Sequence, residues 1–270
     1  MRRTSSHTRI KLFLSILAVV LVSLACLSSE PEAPAEEPAE PAAAEDSPVP
    51  AATDTPEPSP TPDLAATESA QATEAAAETV SKVEETLKSY QIDLPTGHLA
   101  WQQDSEISMA VFEYGAETYE KIADEEVIDD FILYTKVTWT STSGLAGCGV
   151  IFRGEGDFDF GAQYRFYLMR LSGYPAWDIE LYDEGRFVKN LTGSVQRGKS
   201  IDLAQGATNE YIIVADGATL TIYANGSRMG GASTEITSNQ LSEGQIAFLT
   251  WHESGETECA YNDSWLWVIE

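Results

Sequence analysis

Positive charge is scarce in this chain. Lys plus Arg number 16 against 43 Asp plus Glu in 270 residues, a formal net charge of -27. Such a surface repels phosphate backbones, so composition argues against nucleic acid as a partner. Histidine is thin as well. His7, His98 and His252 are scattered, and no zinc cluster or histidine-based triad can be assembled from them. No glycine-rich phosphate cradle is present, because Gly217 and Gly226 are accounted for by turns. The apolar run Leu12 to Leu27 falls short of the roughly 20 residues that a membrane span needs. There are three cysteines, Cys26, Cys148 and Cys259.

What the N-terminus does contain is a charged segment, Arg2, Arg3, Arg9 and Lys11, followed by LFLSILAVVLVSLAC. This is the n-region and h-region pattern of a secretory signal. The run ends in Ser23-Leu24-Ala25-Cys26, which resembles the lipobox of bacterial lipoproteins. The resemblance implies a signal peptide over residues 1–25, lipidation of Cys26 and a membrane partner reached through that lipid. An uncleaved signal anchor and ordinary secretion are the alternatives, and all three place the remainder outside the cytoplasm. Residues 26–62 are Pro, Ala, Glu, Ser and Thr with almost no large apolar side chain, so a disordered, extended tether is expected. Residues 63–90 lack proline and are rich in Ala, Glu and Lys, with Val80, Val83 and Leu87 at helical spacing. That stripe predicts a thin, marginal stalk helix.

Residues 91–270 change character. ISMAVFEYG, FILYTKVTWTS, CGVIFRG, QYRFYLMRL, AWDIELYDEG, NEYIIVADG, ATLTIYANG, GQIAFLTW and DSWLWVIE read as short strands separated by turn signals. The expected fold is all-β, a two-sheet antiparallel jelly-roll sandwich. Phe131 to Arg153 reads as two apolar strands joined by a Ser/Thr/Gly turn, an apolar hairpin. Alternation puts Phe131, Leu133, Val137 and Trp139 on a core face, and Ile132 and Tyr134 on a face that is partly solvated or covered by another layer. Asp216-Gly217 is the strongest hairpin signal.

NEYIIVADGATLTIYANGSRMGG followed by LSEGQIAFLT and a terminal aromatic strand resembles the concanavalin A-like, laminin-G-like jelly roll. AGCGVIFR, QYRFYLMRLSG and CAYNDSWLWVIE resemble in particular the jelly rolls related to the 3-keto-disaccharide hydrolase group. The resemblance covers roughly Leu94 to Glu270. It implies the fold and a carbohydrate-leaning ligand, and no activity follows from it.

If Cys26 is lipidated, Cys148 and Cys259 remain as an even pair in an oxidising compartment. A disulfide between them and two buried free thiols are both open; the bridge would fasten the Phe131–Arg153 stretch to the loop before the last strand. For a glycan, Arg153, Arg165, Tyr167, Trp177 and Trp251 offer stacking faces and forked donors, and Asp178, Glu180 and Tyr182 share one face of a strand. Arg153, after the apolar GVIF run, matches the family's "FR" position and is expected where a groove opens. Asp178 and Glu180 are also the candidate carboxylates of a glycoside-processing enzyme, although the laminarinase pattern E-x-D-x-x-E is incomplete here. Glu155, Asp157 and Asp159 in GEGDFDFG read first as an acidic turn, with oxygen ligation of Ca2+ as the alternative, and no other cofactor is expected. The leading expectation is a non-catalytic glycan-binding lipoprotein. A glycoside-processing enzyme and a structural or protein-binding envelope module are the alternatives.

Overall fold

The computed structural model describes residues 64–141, 144–230, 234–235, 241–254 and 256–270. The expected signal peptide, Cys26 and the 26–62 tether lie outside them. Everything below concerns the unit Pro62–Glu270.

Two antiparallel sheets form by the period-two alternation of apolar side chains. The first runs β1 (Gly97–Gln102), β15 (Thr257–Ile269), β4 (Phe131–Ser141), β10 (Ala207–Asp216), β11 (Thr219–Ala224), β12 (Ser227–Arg228), with β2 (Ile107–Val111) on β15 and β13 (Thr234–Glu235) on β11. The second runs β3 (Glu117–Lys121), β14 (Gln245–His252), β5 (Leu145–Gly154), β6 (Gln163–Leu171), β7 (Tyr174–Asp183), β8 (Arg186–Asn190), with β9 (Gln196–Arg197) on β7. The expected all-β jelly-roll sandwich is therefore present. Phe131, Leu133, Val137 and Trp139 meet Val150, Phe152, Phe166, Leu168, Ile179 and Phe248 between the sheets. Asp216 pairs with Thr219 across the expected turn, where Gly217 takes φ +54°.

Two expectations are corrected. β4 and β5 do not form a hairpin, because β4 pairs with β15 and β10 whereas β5 pairs with β14 and β6. The chain arches from one sheet to the other between them, which lets both apolar strands face a common core. Cys259 lies within β15 rather than in a loop before it. The Cys148–Cys259 disulfide, with Cα atoms 5.8 Å apart, consequently ties one sheet to the other across the core.

The helix α1 (Leu64–Ser89) does not stand free. Val83, Leu87 and Tyr90 pack on Ile132, Tyr134, Ile212, Trp265 and Trp267, the outer face of the first sheet. A thin stripe suffices because the sheet supplies a wide aromatic surface, and burying one Leu stabilises by about 1.5–3 kcal/mol. Gln91, at φ +62°, ends the helix in a left-handed residue, with Ile92 N–H bonded to Leu87 O at 3.0 Å. A bulge at Asp263 (φ +52°) turns its carboxylate out of β15 towards Lys82 of the helix and Lys136 of β4. Burial opposes that charge, and the two lysines together hold the Asp263 carboxyl below its ordinary range. The helix covers the Ile132, Tyr134, Trp265 and Trp267 part of the first sheet's outer face, whereas the groove described below lies on the outer face of the second sheet.

Candidate functional site

The outer face of the second sheet is built from alternate residues of five strands. Glu117 and Tyr119 come from β3, Leu249 and Trp251 from β14, Leu145 and Ile151 from β5, Tyr167, Met169 and Leu171 from β6, and Asp178, Glu180 and Tyr182 from β7. β5 contributes glycine at positions 147 and 149 of this face. A Cβ at Gly149 would lie 2.1 Å from Phe166 O, and one at Gly147 would lie 2.7 Å from Leu168 O. Only glycine permits this approach, and it leaves a trough over which the Tyr167 and Trp251 rings meet edge to face at 5.4 Å. The resulting groove has a volume of about 290 Å³, with Trp251, Glu180 and Tyr182 on its walls and Tyr167 as its floor.

Arg165 is buried beneath this groove. Its Nη1 donates to Glu117 Oε2 at 2.6 Å, and its guanidinium lies 4.0 Å from the centre of the Tyr182 ring. Burial works against that cation, but the Tyr167 phenol and the Glu117 carboxylate more than offset it, so its pKa is raised. Arg165 therefore orients Glu117 and Tyr182 and leaves the ligand surface to them. Burial, with the Asp178 carboxylate as the next cause, pushes the Glu180 carboxyl up to about 7. Such a group both donates and accepts hydrogen bonds near neutrality, a property suited to hydroxyl partners. Burial likewise raises Tyr182 to about 12, so its hydroxyl stays protonated.

Of the eight sequence-derived ligand residues, Tyr167, Glu180, Tyr182 and Trp251 converge on the groove, and Arg165 supports it. Arg153, Trp177 and Asp178 do not take part. Arg153 sits at a bulge in β5 with φ +50°, which re-aims its side chain away from the outer face. It is 1% exposed. Its guanidinium donates to Asp129 O at 3.1 and 3.0 Å, to Asp130 Oδ1 at 3.1 Å and to Gly217 O at 2.9 Å, fastening β5 to the other sheet. Trp177 faces inward with Ile179, as the alternation of β7 requires.

Asp178 points to the outer face, but the segment after β8 folds over it. Its Oδ1 accepts from Ile179 N–H and the Thr192 hydroxyl, each at 2.7 Å, and its Oδ2 accepts from Asn190 Nδ2. It is 0% exposed, so the carboxylate pair expected of a glycosidase has one member that no substrate reaches. The acidic segment Glu155–Asp159 lies in a turn after β5. Among the described residues no group of three or more metal-ligating side chains gathers. Asp157 Oδ1 accepts from the Asp159 and Phe160 N–H groups, and Glu155 Oε2 accepts from Ala162 N–H, so both carboxylates cap their own turn.

Sequence reasoning missed Glu117, Met169, Leu171 and Val195. Glu117 was legible in part, since ETYEK alternates, but its pairing with β14 at Glu117↔Trp251 is long-range.

No protein-family model matches the chain, and no curated protein matches it. Among solved structures it is similar to a carbohydrate-binding module from Bacillus subtilis, with TM-score 0.44 and 13% identity over 58% of this chain and 85% of that one. It is similar to a Bacillus subtilis protein of unknown function with a galectin-like fold, with TM-score 0.45 and 11% identity over 63% and 88%. A β-1,3-1,4-glucanase (lichenase) from a mouse hindgut metagenome is similar at TM-score 0.44 and 8% identity over 62% and 82%. The chain is a two-sheet antiparallel β-sandwich whose helix packs on part of one outer face and whose other outer face carries a groove.

Proposed function

We propose that the protein is an extracytoplasmic, lipid-anchored module that binds carbohydrate in the groove of the second sheet without turning it over. The observation that carries this reading is the convergence of Trp251 and Tyr182 with Glu180 and Glu117 over the Tyr167 floor. An aromatic face accepts the apolar side of a pyranose, and neighbouring carboxyl and phenol groups take its hydroxyls. A glycan array followed by titration of the bound oligosaccharide tests it. Binding without release of reducing ends is expected, and no binding by any sugar would defeat it. Lipid anchoring is motivated by the Leu24-Ala25-Cys26 ending of the signal. Metabolic palmitate labelling is expected on the wild type and absent from Cys26→Ala; equal labelling of both would rule it out.

The glycoside-processing alternative retains one favourable observation, the raised pKa of Glu180, which suits a general acid. The buried, fully bonded Asp178 weighs against it. Reducing-sugar release that disappears in Glu180→Gln would reinstate catalysis.

A further inference from the structure

A second cleft, of about 360 Å³, lies outside the groove between the end of β9 with the residues after it, Arg197 to Ser200, and β12 with the residues after it, Ser227 to Gly230. We propose that it binds the oxyanion groups, sulfate ester or carboxylate, of an anionic polysaccharide.

Charge is the first argument. Arg197, Lys199 and Arg228 line the cleft, and among the described residues its lining contains no Asp or Glu, in a chain where acids outnumber bases 43 to 16. Outside the cleft, Lys82 and Lys136 pair with Asp263, Arg153 with Asp130 and Arg165 with Glu117. Arg197 instead lies 5.0 Å from the centre of the Tyr174 ring, a contact that consumes none of its N–H donors. Ser200 and Ser227 add hydroxyl donors beside the cations. A guanidinium fork, an ammonium and hydroxyls together suit an oxyanion.

Rigidity is the second argument. Asn225, in a left-handed conformation at φ +48°, donates from Nδ2 to Ser200 O at 2.7 Å and to Asn209 Oδ1 at 2.8 Å. Its Oδ1 accepts from Glu210 N–H at 2.9 Å. Gly198 N–H bonds to Pro175 O at 3.0 Å, and Met229 N–H bonds to Ile222 O at 2.8 Å. Both arms of the cleft are thus fixed before a ligand arrives, which lowers the ordering cost of binding.

Position is the third. Val195 lines the sheet groove and Arg197, two residues on, lines the cleft, a step of roughly 7 Å in extended chain. A polymer seated in the groove reaches the cleft. The choice of a polysaccharide rests on the groove reading, whereas the anion site does not.

The test titrates a sulfated oligosaccharide, a uronic-acid oligosaccharide, their neutral counterparts and phosphatidylglycerol vesicles into the wild type and into Arg197→Ala/Lys199→Ala. At 0.15 M ionic strength the Debye length of about 8 Å screens the distant carboxylates and leaves the cleft's own cations to decide. Loss of one charged hydrogen bond corresponds to about tenfold in affinity. At least one anionic probe is expected to bind the wild type and to weaken tenfold or more in the double variant, with neutral binding and the unfolding midpoint unchanged. Equal affinity of wild type and variant, no binding of either anionic probe, or binding only to phosphatidylglycerol vesicles would each overturn the proposal. Anionic binding that the variant loses, with no neutral sugar bound at all, would sustain the cleft and refute the groove.

Discussion

Glu180 couples the groove to pH. Its folded pKa of about 7 stands above the ordinary 4.5, so between those values the native state binds more protons than the unfolded chain. The stability that Glu180 contributes is therefore full below about 4.5, falls as pH rises through that window and levels off above about 7. Glu180→Gln removes this slope. Thermal unfolding at pH 4.5 and pH 8 is expected to show the variant gaining on the wild type at the higher pH; an advantage independent of pH would refute the coupling. Arg153 is the opposite case, a residue whose chemistry suggests binding and whose contacts are structural. Arg153→Ala removes one of the two donors to Asp130 Oδ1, the other being Gly217 N–H, and takes the guanidinium from the Asp129 and Gly217 carbonyls. Chemical denaturation is expected to show a loss of about 2–4 kcal/mol with glycan affinity unchanged, and weakened binding in a normally stable variant would contradict that assignment. Alternation made the outer face of β7 legible, but Trp177 is still offered as a stacking face in the sequence although the same alternation turns it into the core. The Arg153 bulge was not legible, because a non-glycine residue at positive φ leaves no mark on the sequence.

At the level of elements, the helix pattern could be read from Val80, Val83 and Leu87, but its docking could not. Ile132 and Tyr134 show only that a second layer was possible; the partner face also needs Trp265 and Trp267, which β15 brings from the far end of the chain. Leu87 is fully buried at this contact. Leu87→Ala is expected to cost about 2–5 kcal/mol, read by denaturant titration, and a loss below about 0.5 kcal/mol would mean that the helix is not part of the folded unit. Strand existence followed from composition, whereas the division of β4 and β5 between sheets did not, because two apolar strands and a Ser/Thr/Gly turn are compatible with either a hairpin or an arch.

For the whole Pro62–Glu270 unit, the two outer faces differ, one carrying the helix over part of its surface and the other the groove. The cross-core disulfide and the Arg153 network hold the two sheets together from inside, so the groove's central residues, Tyr167, Glu180, Tyr182 and Trp251, are displayed by strands of a fixed scaffold. The most direct measurement is calorimetric titration of an array-selected neutral oligosaccharide into the wild type and Trp251→Ala. The wild type is predicted to bind and the variant to bind at least about tenfold more weakly, since an aromatic face carries on the order of 1 kcal/mol beyond the area it buries. Equal affinity of the two proteins, with the fold intact, would contradict the assignment of the second sheet's outer face as the carbohydrate site.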